Sequence, residues 1–483
     1  MIRRLFLPAL AFVLLVGAPA AHTAGPQMAF GAAEDIVRQP DLVVARQKMA
    51  QLAAAGMRAV RVTSLWVPPA TSPTSDEIVV LTNIATAAQR YGVTVYVSIF
   101  SPGSKTTPLT PEAQSQFVQY ASALVRAVPA IRNVIVGNEP NLNRFWLPQF
   151  NPDGTDAAAP AYEALLAQAY DAIKAADPTV TVFGGALAPR GVDKPNTGRD
   201  THSPTAFIAD LGAAYRASGR TAPIMDAFAF HPYGEASNVK PDLAHPNSTS
   251  IGLGDYSKLV ALLGQAFDGT AQAGSSLPIL YDEYGVESTI PETKLASYTG
   301  NEPATTHPVD ETTQASFYTQ ALSMVFCQPN VIGILLFHSQ DENARASWQS
   351  GVYYADGSLK ASFWTVRAAL DRARGGSITH CDGLPLDVLP TVLRFPKAAA
   401  LPGGKAVIQL TCPLDCVATL ALTRSDGTAV WSRKAYALAG FAYRVPLGKL
   451  RLVAGRYAFS GSVVQPVNPG TPTVAQGGTF VVR

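Results

Sequence analysis

Asn133-Val-Ile-Val-Gly-Asn-Glu-Pro-Asn141 is an apolar run that stops abruptly and leaves a carboxylate at its tip. Val134, Ile135 and Val136 are β-branched, which reads as a short strand covered on both faces. Pro140 has no N–H for a sheet ladder and cannot continue the strand, so Glu139 is placed at its carboxyl end. A second stretch, Pro278-Ile-Leu-Tyr-Asp-Glu-Tyr-Gly285, has the same design and delivers Glu283. The tripeptide Asn-Glu-Pro recurs at 301–303 with no apolar run beside it, and that copy reads as loop.

Outward from these two runs, short apolar stretches alternate with amphipathic ones. Strands are expected at 28–31, 59–66, 94–100, 133–139, 180–185, 225–233, 279–285 and 331–338. Helices are expected at 42–55, 75–91, 111–128, 159–176, 203–217, 256–267, 310–327 and 362–374. Eight strands, each followed by a helix, is the count of an α/β protein built as a (β/α)8 TIM barrel. An open doubly wound sheet would have fewer units and a glycine-rich phosphate loop after its first strand, which Phe30-Gly-Ala-Ala-Glu34 is not. The loop over 286–308 carries no obvious element, and 348–360 reads as a hairpin turning at Asp356-Gly357.

Past residue 374 the pattern changes to short alternating strands separated by turn signals such as Asp426-Gly427. This indicates a small C-terminal antiparallel β-sandwich. At the other end, Met1-Ile-Arg-Arg4, an apolar run and small residues up to Ala20 have the form of a secretory signal peptide. The expected organisation is therefore a signal peptide at 1–20, a barrel at 25–382 and a sandwich at 385–483. Composition, with 47% hydrophobic and 15% charged residues and a net charge of +2, fits a folded, exported monomer and lacks the clustered basic residues of a nucleic-acid binder. No run approaches the roughly 18 apolar residues of a membrane span.

The four cysteines fit an oxidising compartment. Cys412 and Cys416 are close in sequence, while Cys327 and Cys381 follow two helices that end on the same face of a barrel. Those are the two expected disulfides. Neither pair is joined by a matching Cys or His pair, so no zinc site, other metal or cofactor is expected.

In such a barrel the active site lies at the carboxyl ends of the strands. Those ends carry Arg61 and Trp66 on strand two, Asn138 and Glu139 on strand four, His231 and Tyr233 on strand six, Glu283 on strand seven and His338 on strand eight. Two glutamates converging without a metal ligand set or a Gly-x-Ser-x-Gly elbow suit cleavage of an acetal. Trp66, Phe100, Phe145, Trp146, Tyr233, Tyr284 and Trp348 are aromatic candidates for sugar stacking, about half of them expected to reach the substrate. Among rival carboxylates, strand alternation turns Asp282 toward the helices, and Glu235, Glu287 and Asp341 fall in loops.

With these residues in place, the chain resembles glycoside hydrolase clan A over roughly 29–374, with families 39 and 5 the closest in pattern. The resemblance rests on Asn138-Glu139-Pro140, Glu283, Arg61 and His231-Pro232-Tyr233. It implies a retaining enzyme acting on a glycoside, oligosaccharide or polysaccharide, with Glu139 as acid/base and Glu283 as nucleophile. It also implies that Asn138 holds the sugar 2-hydroxyl, and that Arg61 and Tyr233 keep Glu283 ionised. Trp66, Trp146, His231 and His338 join these as substrate-binding candidates. The clan often ends strand eight in tryptophan, whereas this chain has Phe337-His338, which leaves the sugar open. A secreted barrel that binds glycans without cutting them is the alternative.

Overall fold

The computed structural model describes residues 28–375 and 391–482, apart from 402–403, 413–415, 438–442 and 466–467. Its central feature is a closed parallel barrel whose strands follow chain order. The strands are β1 (Ala29–Ala33), β2 (Ala59–Leu65), β3 (Thr94–Phe100), β4 (Asn133–Val136), β5 (Thr181–Leu187), β6 (Ala227–Phe230), β7 (Ile279–Tyr284) and β8 (Val331–Phe337). The ring closes where Ala29 to Ala33 pair with Gly333 to Phe337. Each strand is followed by a helix: α1 (Leu42–Ala54), α2 (Ser75–Tyr91), α3 (Pro111–Ala127), α4 (Ala158–Ala176), α5 (Pro204–Ala217), α6 (Tyr256–Phe267), α7 (Glu311–Phe326) and α8 (Ser362–Arg374).

Strand alternation sorts the core into two layers. Val60, Val62, Val134, Val136, Ile279 and Tyr281 pack outward against the helices. Ala59, Tyr96, Ile135, Phe183, Leu280 and Leu335 fill the lumen. The helices begin where the sequence supplies a cap: the side chains of Thr74, Thr110, Ser203 and Asp310 accept N–H groups at the starts of α2, α3, α5 and α7. Gly92, at φ +64°, takes the left-handed position that ends α2.

Two departures from the sequence reading bear on the site. β4 ends at Val136 rather than running on to Glu139, because the backbone turns left-handed at Gly137 (φ +93°). β7 pairs with β8 irregularly between Tyr281 and Tyr284, so strict alternation fails just where Asp282 and Glu283 lie. The segment over 286–308, expected without an element, contains a short 3-10 helix at Glu292–Ser297.

The C-terminal region forms two antiparallel sheets. One has three strands, β9 (Val392–Arg394), β10 (Val407–Thr411) and β13 (Tyr443–Pro446); the other has four, β11 (Cys416–Arg424), β12 (Ala429–Ala437), β14 (Gly455–Gln465) and β15 (Asn468–Val482). Ile408 and Leu410 from the first and Ala418, Leu420, Tyr457 and Phe459 from the second share one core. β9 had no sequence signal recognised as a strand. Cys412 and Cys416 are bonded to each other, and Cys327 is disulfide-bonded. Its expected partner Cys381, the 1–20 signal segment and the domain boundary near 383–389 lie outside the described residues. No helix among the described residues is long and apolar enough to cross a membrane.

Tyr162 on α4 joins the scaffold to the turn that presents Glu139. Its hydroxyl donates to Val136 O at 2.7 Å and accepts from Gly185 N at 2.8 Å, both deep in the core. Tyr162→Phe leaves both backbone groups buried and unpaired, and should cost about 1–3 kcal/mol in chemical denaturation. An unchanged midpoint would show that this hydroxyl does not anchor the β4 and β5 ends.

Candidate active site

A cavity of about 760 Å³ opens over the carboxyl ends of the barrel strands. At its floor lies Arg61, which faces the lumen because its neighbours Val60 and Val62 face the helices. The guanidinium is 5% exposed. It donates to Glu283, to Asn138 Oδ1 at 2.6 Å and to Ser98 Oγ at 3.1 Å, and its Nε faces Asp282 Oδ2 at 3.3 Å. Asp282, expected to point toward the helices, faces the lumen instead, on the same side as Leu280; it is Glu283 that the irregular β7–β8 pairing lets face inward beside it.

Glu139 reaches the cavity from an unusual backbone, with φ +41°, a region non-glycine residues seldom occupy. Its N–H donates to Ala186 O at 2.8 Å, and its carbonyl accepts from Leu142 N at 2.9 Å, which holds the turn. His231, completely buried, bridges the acids: Nδ1 lies 3.0 Å from Glu139 Oε1 and 3.5 Å from Glu283 Oε2, and Nε2 lies 3.3 Å from Asp282 Oδ1. Tyr233 donates to Glu283 Oε2 at 2.9 Å. Glu139, His231 and Glu283 each offer an atom within 4.8 Å of the other two.

The charges explain one another. Burial pushes the Glu283 carboxyl up, but the charges of His231 and Arg61, with hydrogen bonds from Arg61 and Tyr233, outweigh it and hold the group below its ordinary value. Burial alone would lower His231. The negative charges of Glu283 and Asp282, with hydrogen bonds to Asp282 and Glu139, instead raise it to about 10. Burial, then the charges of Glu283 and Glu139, keep the Tyr233 phenol protonated well beyond its usual range. Glu283 is therefore the acid that stays ionised.

Of the residues singled out from sequence, Arg61, Asn138, Glu139, Tyr233, Glu283 and His338 line the cavity. His338 is fixed by Nδ1 against Ala33 O at 2.8 Å and by its N–H to Ser350 Oγ at 3.0 Å. His231 stands behind Glu139 rather than on the cavity surface, so it braces the Glu139 carboxylate from beneath. Trp66 and Trp146 do not line the cavity. The chain leaves the ladder at Leu65, and Trp66 turns under α3, edge-on to Phe117 at 5.4 Å with its indole N–H on Ala70 O. Trp146 packs edge-on against Tyr162 at 5.8 Å, and Tyr284 against Tyr318 at 6.2 Å. Phe100, Phe145, Tyr233 and Trp348 do line it.

Sequence reasoning missed Ser98 and Glu34. A serine within a strand gives no local signal. Glu34 did carry one, since it directly follows the apolar run of β1. Its oxygens accept from Ile36 N, Ser339 N, Ser339 Oγ and Gln340 N at 2.7–3.1 Å, tying the β1 end to the β8 loop. A second His and carboxylate group, Asp156, His202 and Asp210, lies outside the cavity lining. There Asp156 Oδ1 caps α4 through Ala158 N and Ala159 N, and His202 Nε2 lies 2.8 Å from Gln149 O, contacts that tie the β4–α4 and β5–α5 loops together.

No family model matches the chain, and no curated protein matches it. Among solved structures, a GH5_18 from Streptomyces cattleya in complex with GlcNAc superposes with a TM-score of 0.50 at 17% identity, covering 75% of this chain and 82% of that one. The likeness is one of fold, over most of both chains. A GH5_18 from Bifidobacterium longum subsp. infantis gives 0.47 at 14% identity over 72% and 79% of the two chains. The β-glucuronidase of Bacteroides uniformis gives 0.45 at 13% identity over 95% of this chain and 46% of its own, so this chain spans less than half the length of that protein. The closed parallel barrel brings the carboxyl ends of β4 and β7 to one mouth, which is how Glu139 and Glu283 come together.

His231 titrates near 10 in the folded protein against an ordinary value of 6.5. Its charge therefore stabilises the fold fully below pH 6.5, and that contribution fades as pH rises toward 10. The gap in thermal midpoint between wild type and His231→Gln should narrow across this window. A gap that stayed constant or widened would mean that His231 is buried neutral.

Proposed function

We propose that this chain is a secreted retaining glycoside hydrolase that cleaves the O-glycosidic bond of a β-glycoside or polysaccharide, with Glu283 as nucleophile and Glu139 as acid/base. The observation that carries this reading is the approach of Glu139 and Glu283 to within 4.8 Å of each other at one cavity floor. Retaining pairs stand about 5–5.5 Å apart, whereas an inverting pair needs about 6.5 Å or more to admit its water. The unequal surroundings of the two acids agree with unequal roles, because the one beside Arg61 and Tyr233 stays ionised.

In this reading a Glu283 oxygen forms a bond to the anomeric carbon as the bond to the leaving oxygen breaks, and Glu139 passes its proton to that oxygen. A water then gives a proton to Glu139 while its oxygen displaces Glu283, which restores both groups and the starting configuration. His231 holds the Glu139 carboxyl in line. Arg61 occupies Asn138 Oδ1, which turns the amide N–H groups of Asn138 toward a sugar 2-hydroxyl. Phe100 and Trp348 supply aromatic faces for the rings. The GlcNAc bound to the Streptomyces cattleya GH5_18 supports a carbohydrate as ligand here. Export rests on the signal-like segment at 1–20.

Proton NMR of the first-formed sugar should show the retained anomer, and an inverted one at early times would overturn the nucleophile assignment. Glu283→Ala should abolish turnover of aryl glycosides. Glu139→Ala should lower kcat/KM by about 10²–10⁴-fold on poor leaving groups, with azide restoring turnover of activated ones as a glycosyl azide of retained configuration. Tyr233→Phe removes a hydrogen bond that holds the Glu283 carboxyl low. Its acid limb should therefore move to higher pH, and an unmoved limb would show that Glu283 is not the group titrating there.

A further inference from the structure

The depth of the cavity is charged in one direction. Among its described lining residues, Glu34, Glu283 and Glu287 are 6–8% exposed, and Glu139 stands beside them half-buried. The one buried cation in that lining is Arg61. Its guanidinium is already committed to Glu283, Asp282, Asn138 and Ser98. The remaining lining cations, Arg144 and Arg190, are exposed at the rim. There Arg190 donates to the carbonyls of Gly234 and Glu235, and Arg144 lies over the Phe145 ring. Water and salt screen charges placed there.

A sugar carboxylate carried into this floor would meet carboxyl groups with no uncommitted cation to pair with. A hydroxyl in the same place finds acceptors on every side. Resting on the hydrolase reading above, we propose that the site takes uncharged glycosides and turns away uronides. The structure also assigns Glu287 as a specificity-determining residue that excludes the anionic sugar.

Glu287 lies four residues beyond Glu283, past Gly285, and joins three loops. Its N–H donates hydrogen to Ser237 Oγ at 3.0 Å, and its Oε1 accepts from Gln349 N at 3.3 Å. It shares the β7–β8 side of the cavity with Trp348 and Glu342. The charged groups facing it are Glu302 and Asp341, of like sign, and Lys360, which Asp341 already binds at 2.8 Å. Burial first, then Glu302 and Asp341, raise the Glu287 carboxyl to about 7 against the opposing Gln349 N–H and Lys360. It is thus largely neutral in mild acid and negative in mild base, and its repulsion of an anion grows through that interval.

The test compares kcat/KM on matched aryl β-glycosides, glucoside against glucuronide and galactoside against galacturonide, in the full-length protein. The neutral member of a turned-over pair should be favoured by about tenfold or more, the scale of a like-charge contact in a buried site. The preference should be larger at pH 8 than at pH 5.5. Glu287→Gln should shrink it at pH 8 through a KM for the uronide that falls relative to the KM for the neutral sugar. Equal or better turnover of the uronide overturns the charge-class proposal. A preference that Glu287→Gln leaves unchanged at pH 8 overturns the role of Glu287. Hydrolysis of neither member counts against the hydrolase reading instead. In that case saturation-transfer NMR with methyl β-glucoside and methyl β-glucuronide still decides charge class, since tighter binding of the uronide, or binding of neither, overturns it.

Discussion

One buried guanidinium organises the site. Removing an arginine from water costs several kcal/mol, and the structure repays this only through geometry and hydrogen bonding. Arg61 donates to a carboxylate, an amide oxygen and a serine hydroxyl, and its Nε is paired by charge with Asp282. These partners come from β3, the end of β4 and β7, so closing the barrel and assembling the site are one event. The arginine lies 222 residues before Glu283 in sequence. Without the ring closure nothing would bring them together.

The same charge gives two chemically identical side chains unequal surroundings. Glu283 sits between Arg61 and Tyr233 and remains ionised against its burial. Glu139, across the floor, faces His231 at 3.0 Å and lacks the arginine. Asp282 supplies the counter-charge that lets the buried His231 and the buried Arg61 coexist. The irregular pairing of β7 is what allows two consecutive acids to face inward, so a local fault in the ladder serves the electrostatics of the whole floor.

Above the floor, the walls are braced rather than loose. Backbone bridges join Ser288 to Val309 within the β7 loop and Thr299 to Ala344 across to the β8 loop. The buried Lys360 ammonium donates to Ser288 Oγ, Gln349 O and Asp341, all within 3.0 Å. Burial pulls its pKa down despite the Asp341 charge. Glu287 and Trp348 are thereby presented from a held frame, the condition for discriminating between ligands that differ by a single group.

Apolar β-branched runs, amphipathic stretches and their alternation determined the barrel from sequence alone, because a strand buried on both faces leaves a continuous hydrophobic signature. The two glutamates were legible for the same reason: each ends such a run, and barrel strand ends converge. Tertiary structure alone decided the rest. That Asp282 and Glu283 both face inward depended on a break in alternation that no local residue announces. Trp66 lies just beyond the end of β2 and Trp146 in the loop between β4 and α4, where the direction of a side chain follows from which helix lies beneath it. Ser98 gained its role only when β3 came to lie beside Arg61. Sequence determines which residues reach the mouth of the barrel, since periodicity is a local property. Their facing and pairing are set by contacts between segments far apart in the chain, which exist only once the ring has closed.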